Sequence, residues 1–290
     1  MIITSLLYGK KRKDGLHSFL NNRAPIRCIP QRLHTAVSSH IAGDHIYLEL
    51  GAGKPIIFCH GLFGGIFNID KLASMLASQY RFIMPFLPMY DLPLKNCRVK
   101  ELGNYIERFI QQLQLKEAVF IGNSMGGGAL TYYASMPGNI SKGVILCGSS
   151  GLTNIPISNG YFKRKDFEFV KSATKDIFFN RSVPTDEMVK DIFQAIQQTE
   201  LVIRSIRFTK SATQQKTHDE LSLIQTPTLL IWGKQDPITP AEAAPEFQRL
   251  IKNSELVILE ECGHVATQEK PEEFYFHLNS FLKKTNGNSE

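Results

Sequence analysis

The sequence predicts an α/β fold: a mostly parallel central sheet flanked by helices, with a helical insertion. Three observations predict it. Short apolar runs recur at residues 55–59, 118–121, 143–147, 228–232 and 256–259, and a strand apolar at nearly every position is one covered on both faces, as in parallel sheets. Between them lie segments of helical period. Leu102, Tyr105, Ile106, Phe109, Ile110 and Leu113 fall at i, i+3, i+4, i+7, i+8 and i+11, one face of a helix. Finally, polar residues capable of chemistry stand just past the ends of the apolar runs, where parallel sheets carry their sites.

Taken in order, residues 1–31 show no sustained period and carry several turn formers, so an irregular arm is expected ahead of one domain over 32–290. Residues 32–50 read as an antiparallel hairpin turning near Ala42-Gly43-Asp44. A strand at 55–59, a His60-Gly61 loop, a helix over 68–78 and a strand at 81–85 follow. Then come the amphipathic helix, the strand at 118–121, a helix from Met125 and the strand at 143–147. The alternation stops after Ser149-Ser150-Gly151. Residues 152–217 are polar and helical in period without a strand-like run, and Thr185 is placed to cap a helix ahead of Asp186 and Glu187. The sheet pattern resumes at Thr226, and a closing helix from Pro271 turns Phe274, Leu278, Phe281 and Leu282 inward.

Composition narrows the function classes. A chain of 290 residues, 43% of them hydrophobic, supports one large core or two small ones. Five cysteines (Cys28, Cys59, Cys97, Cys147 and Cys262), three in or beside core strands, indicate reduced thiols in a cytoplasm. No Cys-x-x-Cys or His-x-x-x-His pair occurs, so neither metal nor cofactor is expected. A net charge of +6 is modest, and Lys10-Lys11-Arg12-Lys13 reads as a solvated arm, not a nucleic-acid or lipid contact. No run approaches the ~18 apolar residues of a membrane span. The apolar start precedes its basic residues, the reverse of an export signal. The expected partner is a small-molecule substrate; no oligomeric state is assigned.

Gly122-Asn123-Ser124-Met125-Gly126 is the richest motif, lying between the run at 118–121 and the small residues Gly127, Gly128 and Ala129. A buried strand enters a helix through one tight turn with the serine at its apex. Bulk at Gly122 or Gly126 would meet the helix or the preceding strand. The first helical N–H groups, Met125 foremost, then point at whatever reacts with Ser124. A serine hydroxyl holds its proton at neutral pH, so nucleophilic use needs a base and an acid to orient it. Asp236 follows the run at 228–232, and His264 follows the run at 256–259 behind Gly263. The order is nucleophile, acid, histidine. The bland alternatives are a turn serine at Ser124, and an Asp236 that only caps the helix near Thr239-Pro240. His34, His40, His45, His218 and His277 follow no core strand and glycine, and His60 reads as a residue that orients its loop.

On His60-Gly61-Leu62-Phe63-Gly64-Gly65 after a strand, the elbow at 122–126, Trp232-Gly233-Lys234-Gln235-Asp236 and Cys262-Gly263-His264, the sequence from about residue 32 to about residue 283 resembles the α/β-hydrolase family. The resemblance implies a helical cap over 152–217, between the sixth and seventh central strands. It implies an oxyanion hole from the backbone N–H groups of Leu62 and Met125, and a substrate pocket bordered by Phe63 and Met125. The family's other acid position, within 147–151, holds no carboxylate, which favours Asp236. Members that form an ester on an elbow Asp are excluded by Ser124. The reading that results is a cofactor-free hydrolase of a small to medium hydrophobic carboxylic ester, acting through an acyl-enzyme. One rival is a carbon-carbon bond hydrolase of ring-fission products, whose elbow is similar to Gly122 through Gly127. Such enzymes usually carry a Trp after the catalytic His, where Val265 stands here, and a carboxylate-binding cap arginine. Arg181, Arg204 and Arg207 are expected to face solvent. The other rival is a non-enzymatic receptor that keeps the fold.

Overall fold

The computed structural model describes residues 38–64, 70–153, 163–214 and 217–287. The expected arm at 1–31, with Lys10 to Lys13 and Cys28, lies outside them.

Eight strands join in one sheet: β1 (Ser38–Ala42), β2 (His45–Leu50), β3 (Lys54–Cys59), β4 (Tyr80–Pro85), β5 (Ala118–Asn123), β6 (Ser141–Cys147), β7 (Thr228–Gly233) and β8 (Ser254–Leu259). Their order across the sheet is β1-β2-β4-β3-β5-β6-β7-β8. The β1–β2 and β2–β4 pairs are antiparallel, and every pair from β4 to β8 is parallel. The hairpin turns at Gly43, whose φ of +58° suits a residue without Cβ.

Because strand side chains alternate, each apolar strand supplies two cores. On one face Ile57, Phe120, Val144, Leu146 and Trp232 pack with Leu102, Ile106 and Phe109 of α2 (Val99–Gln112) and with Ala129 and Leu130 of α3 (Met125–Ala134). On the other, Ile56, Phe58, Ile121, Ile145 and Ile231 pack with Leu72 and Leu76 of α1 (Asp70–Leu76), and with Phe274, Leu278, Phe281 and Leu282 of α10 (Pro271–Gly287). Several strand starts shift by one or two residues from expectation, and two further departures affect the architecture. β5 runs two residues further, pairing Gly122 with Leu146 and Asn123 with Cys147, so the sheet supports the chain up to residue 124. β8 is the sheet edge, not a fully covered strand, and Ile258 is 39% exposed.

Between β6 and β7 come α4 (Phe167–Lys175), α5 (Asp186–Gln197), α6 (Thr199–Gln214) and α7 (Thr217–Leu223), with no strand among the described residues. Asp166 caps α4 through the Phe169 N–H, and Thr185 caps α5 through the Met188 N–H, as its sequence position predicts. This insertion holds a small core of Val170, Ile196 and Val202. A second cluster joins Phe178 and Met188 to Val265, beside His264. The chain closes through α8 (Ala244–Leu250) and α9 (Ala266–Glu269) before α10.

Candidate active site

Ser124 stands between β5 and α3 with φ +54° and ψ −118°, a region costly for any residue with a Cβ and held only by surrounding structure. A Cβ at Gly122 would lie 2.8 Å from Gly126 O and Gly127 Cα, and one at Gly126 would collide with the Cys59 carbonyl. The backbone pins the turn: the Ser124 N–H donates to Cys147 O at 3.0 Å, and Ser124 O accepts from Ser150 N and Gly128 N at 3.1 Å.

Asp236 and His264, 28 residues apart, meet in the buried interior. His264 Nδ1 lies 2.8 Å from Asp236 Oδ2 and 3.0 Å from Oδ1. Facing a carboxylate, Nδ1 carries the ring proton and leaves Nε2 as an acceptor. Oδ1 also accepts from the Ile238 and Thr239 N–H groups, at 2.8 and 2.9 Å. Asp236 therefore does both things the sequence allows, bracing the turn ahead of Pro240 and facing the imidazole. Thr239 Oγ1 sits 2.8 Å from Oδ2 and 2.9 Å from Gly148 O, where its one proton serves either acceptor. The pair lies over Gly148, where an added Cβ would be 3.0 Å from Asp236 Oδ2 and 3.3 Å from His264 Nδ1.

Sequence reasoning missed several groups that hold this arrangement. Asn123 Nδ2 donates to His264 O at 3.3 Å and to Cys147 O at 3.2 Å, tying the elbow to the histidine loop. Its signal was a buried amide closing an otherwise apolar strand. The His264 N–H donates to Ile177 O of the insertion at 3.0 Å. Glu269 Oε2 accepts from Phe179 N at 2.8 Å and Asn180 N at 3.3 Å, while Oε1 accepts from Gly263 N at 3.0 Å. Burial pushes its carboxyl above the ordinary range, and these N–H groups oppose that rise.

The loop after β3 passes directly against the elbow. A Cβ at Gly61 would lie 3.0 Å from Ser124 Cβ. The Phe63 N–H donates to the Tyr90 hydroxyl at 2.7 Å, and Phe63 takes a φ of +54°. Its half-buried ring lies 6.0 Å from that of Tyr90 and packs on both the main core and the insertion's small core. The Leu62 and Met125 N–H groups have no protein acceptor among the described residues. His60 is buried; Nδ1 donates to Gly61 O at 2.9 Å and Nε2 accepts from Leu87 N at 3.1 Å. Burial lowers its pKa to about 4, so it is a neutral brace for the loop.

Of the three arginines expected to face solvent, Arg181 and Arg207 do. Arg204 does not. Its side chain is 15% exposed, with Nε donating to Leu92 O at 3.1 Å and a terminal nitrogen to Glu200 at 2.9 Å. The Leu92 carbonyl, which the Cys97 thiol meets only at 3.8 Å, faces α6, and the guanidinium turns inward to meet it. Among the described residues no cluster of His, Cys, Asp and Glu is arranged to hold a metal ion, and no helix is long and apolar enough to cross a membrane.

Known proteins agree with this architecture. "Uncharacterized hydrolase YugF" of Bacillus subtilis (strain 168) is 28% identical over 262 residues, covering 84% of this chain and 96% of that protein. The 2-hydroxy-6-oxo-6-(2'-aminophenyl)hexa-2,4-dienoic acid hydrolase of Metapseudomonas resinovorans is 28% identical over 264 residues, covering 82% and 87%. Among solved structures, a putative lipase from Acinetobacter baumannii AYE superposes with a TM-score of 0.72 at 26% identity, covering 95% of this chain and 97% of that one. MGS-MChE2, an alpha/beta hydrolase from a lagoon-sediment metagenome of Mar Chica, Morocco, gives 0.70 at 28%, covering 86% and 99%. The family description "alpha/beta hydrolase fold" matches residues 54–271. With that match spanning most of the chain, and with the strand order and elbow described above, the protein belongs to the alpha/beta hydrolase fold family and is a hydrolase.

Proposed function

We propose that this hydrolase cleaves a small to medium hydrophobic carboxylic ester through an acyl-enzyme, with Ser124 as nucleophile, His264 as base and Asp236 as the acid that orients it. The observation that carries the reading is the buried Asp236–His264 hydrogen bond of 2.8 Å, tied through Asn123 to a serine held at φ +54°. His264 Nε2 takes the hydroxyl proton as Ser124 Oγ attacks the ester carbonyl, and Asp236 stabilises the imidazolium. The oxyanion receives the Leu62 and Met125 N–H groups. Collapse breaks the C–O bond, and the alcohol leaves with the proton from His264. A water, deprotonated by the same base, then hydrolyses the acyl-enzyme to the acid and restores Ser124. The insertion over 152–217 acts as the cap, and Phe63 borders the acyl pocket. No cofactor takes part. Among the described residues Cys59, Cys97, Cys147 and Cys262 are free and buried, which fits the cytoplasmic setting that belongs to the proposal.

The second reading, a carbon-carbon bond hydrolase, is favoured by the Metapseudomonas relative and by the inward turn of Arg204. Against it, Arg204 is already engaged by Leu92 O and Glu200, and Val265 is packed in an apolar cluster. A fluorophosphonate probe combined with a p-nitrophenyl ester chain-length series tests the proposal. Labelling at Ser124 with turnover peaking at a short to medium acyl chain is expected. Labelling without ester turnover, but with cleavage of a ring-fission dienol acid, moves the assignment to the second reading. Absence of labelling and of both activities refutes serine catalysis.

A further inference from the structure

A cleft of about 610 Å³ lies between the turn ahead of α2 and the C-terminal half of α6. Lys95, Arg98, Lys100, Arg207 and Lys210 line it against one carboxylate, Glu220. Elsewhere cations are commonly paired, as in Arg81–Glu49, Arg249–Glu246 and Lys284–Glu255. Here the side chains of Lys95, Arg98, Lys100 and Lys210 have no carboxylate partner among the described residues. Arg207 gives one N–H to Leu94 O at 3.2 Å and keeps its other donors.

Two of these cations stand where a helix disfavours them. Arg98 is the N-cap of α2 and makes no side-chain cap hydrogen bond, and Lys100 lies in the first turn, where Glu101 is the one acidic residue and the Val99 N–H is taken by Ser211 Oγ at 3.1 Å. The positive end of a helix dipole favours anions there, so both residues add like charge to like. Convergent unpaired cations repel one another, and an anion in the cleft removes that repulsion. Two guanidinium forks match phosphate oxygens in geometry as well as charge. The volume falls within the range of about 300–1,000 Å³ common for small-molecule sites.

We propose that this cleft binds a phosphate-bearing anion. This second site stands independently of the ester-hydrolase reading. Free phosphates and lipid headgroups share the chemistry, and inorganic pyrophosphate, phosphatidylglycerol vesicles and phosphatidylcholine vesicles separate them. Calorimetric titration of the full chain with pyrophosphate is expected to saturate at one site and weaken with added salt. Arg98→Gln with Lys210→Gln should reduce that affinity by about tenfold or more, the scale of losing two charge-assisted contacts. The control Lys71→Gln with Lys284→Gln removes two cations paired elsewhere and should leave it unchanged. Lysine acetylation with mass-spectrometric readout on the wild-type chain gives a test that needs no variant: the ligand should protect Lys95, Lys100 and Lys210 but not Lys142. Binding to phosphatidylglycerol vesicles alone, lost in the cleft variant, would assign the phosphate to a lipid headgroup. Equal loss in cleft and control variants, absent lysine protection, or failure of both pyrophosphate and vesicles to bind would overturn the site.

Discussion

The carboxyl end of the sheet and the insertion between β6 and β7 place polar groups in opposite ways. At the sheet, Asp236 is 5% exposed and its carboxylate meets an imidazole and two backbone N–H groups; the serine turn is fixed by three backbone bonds. In the insertion, apart from the inward-turned Arg204, charges sit outside, as in Arg181–Asp176 and Lys171–Asp186, and exposed pairs contribute only about 0–1 kcal/mol. The first region is over-determined, since moving one group strands several partners. The second is held by amphipathic burial and two caps, which many sequences supply. The proposed chemistry therefore depends on individual atoms at the sheet, whereas pocket shape in the insertion can change with little disturbance. They join where Ile177, Phe179 and Asn180 meet the histidine loop and Glu269.

The largest effects should come from the over-determined side. Ser124→Ala is expected to lower kcat on the order of 10⁶-fold with unchanged thermal unfolding. Asp236→Asn should cost on the order of 10⁴ by presenting the wrong tautomer partner. Glu260→Gln and Glu261→Gln, both exposed, should leave kcat near wild type, and a collapse there instead would relocate the acid.

Acid should destabilise the protein through His60. Its folded pKa of about 4 lies below the unfolded value of about 6.5, so the unfolded chain takes up the proton first. Stability present above about pH 6.5 is then lost as pH falls toward 4, by on the order of 3 kcal/mol for this group. Urea unfolding of His60→Asn across that interval should show a shallower acid slope than wild type. Equal slopes would mean that His60 takes a proton while folded.

At the join, Glu269→Gln replaces an acceptor oxygen by an amide that faces N–H donors, and stranded donors cost about 1–3 kcal/mol. A stability loss of that size is expected in urea, with kcat lowered about tenfold and KM within about threefold. A change in KM alone would place its role in the insertion and not in the histidine loop. The smallest effect belongs to the insertion surface. Arg181→Met and Arg207→Met should each leave p-nitrophenyl butyrate hydrolysis within about threefold, under roughly 0.7 kcal/mol. Arg204→Met is the sharper case, since Leu92 O loses its guanidinium donor and keeps only the weak Cys97 thiol. A change confined to cleavage of a dienol acid would reverse the ranking of the two readings.

Most of the fold was legible because apolar runs and the glycines between them punctuate strands locally. Thr185 and the turn at Gly43 were legible for the same reason. The exposed face of β8 was not, because edge position follows from strand order, which no single strand encodes. In the candidate site, Asp236 and His264 stood out as polar residues just past strand ends. Asn123 and Glu269 did not, as their partners lie 141 and 90 residues away along the chain. Tyr90, which receives the Phe63 N–H across 27 residues, gave no local sign either. The inward turn of Arg204 depended on the Leu92 carbonyl, whose need for a donor no side-chain pattern records.

The positive φ at residue 124 also bears on how such a protein can change over generations. The turn is dictated by its neighbours, because a side chain at 122 or 126 would strike backbone, while the half-buried residue at the apex already accommodates a Cβ. Adjacent codons therefore carry unequal risk. A substitution at either glycine forces backbone to shift, whereas a substitution at the apex can leave a folded protein in which the proposed nucleophile is exchanged or missing. Such a scaffold can lose one activity and acquire another through a single viable intermediate.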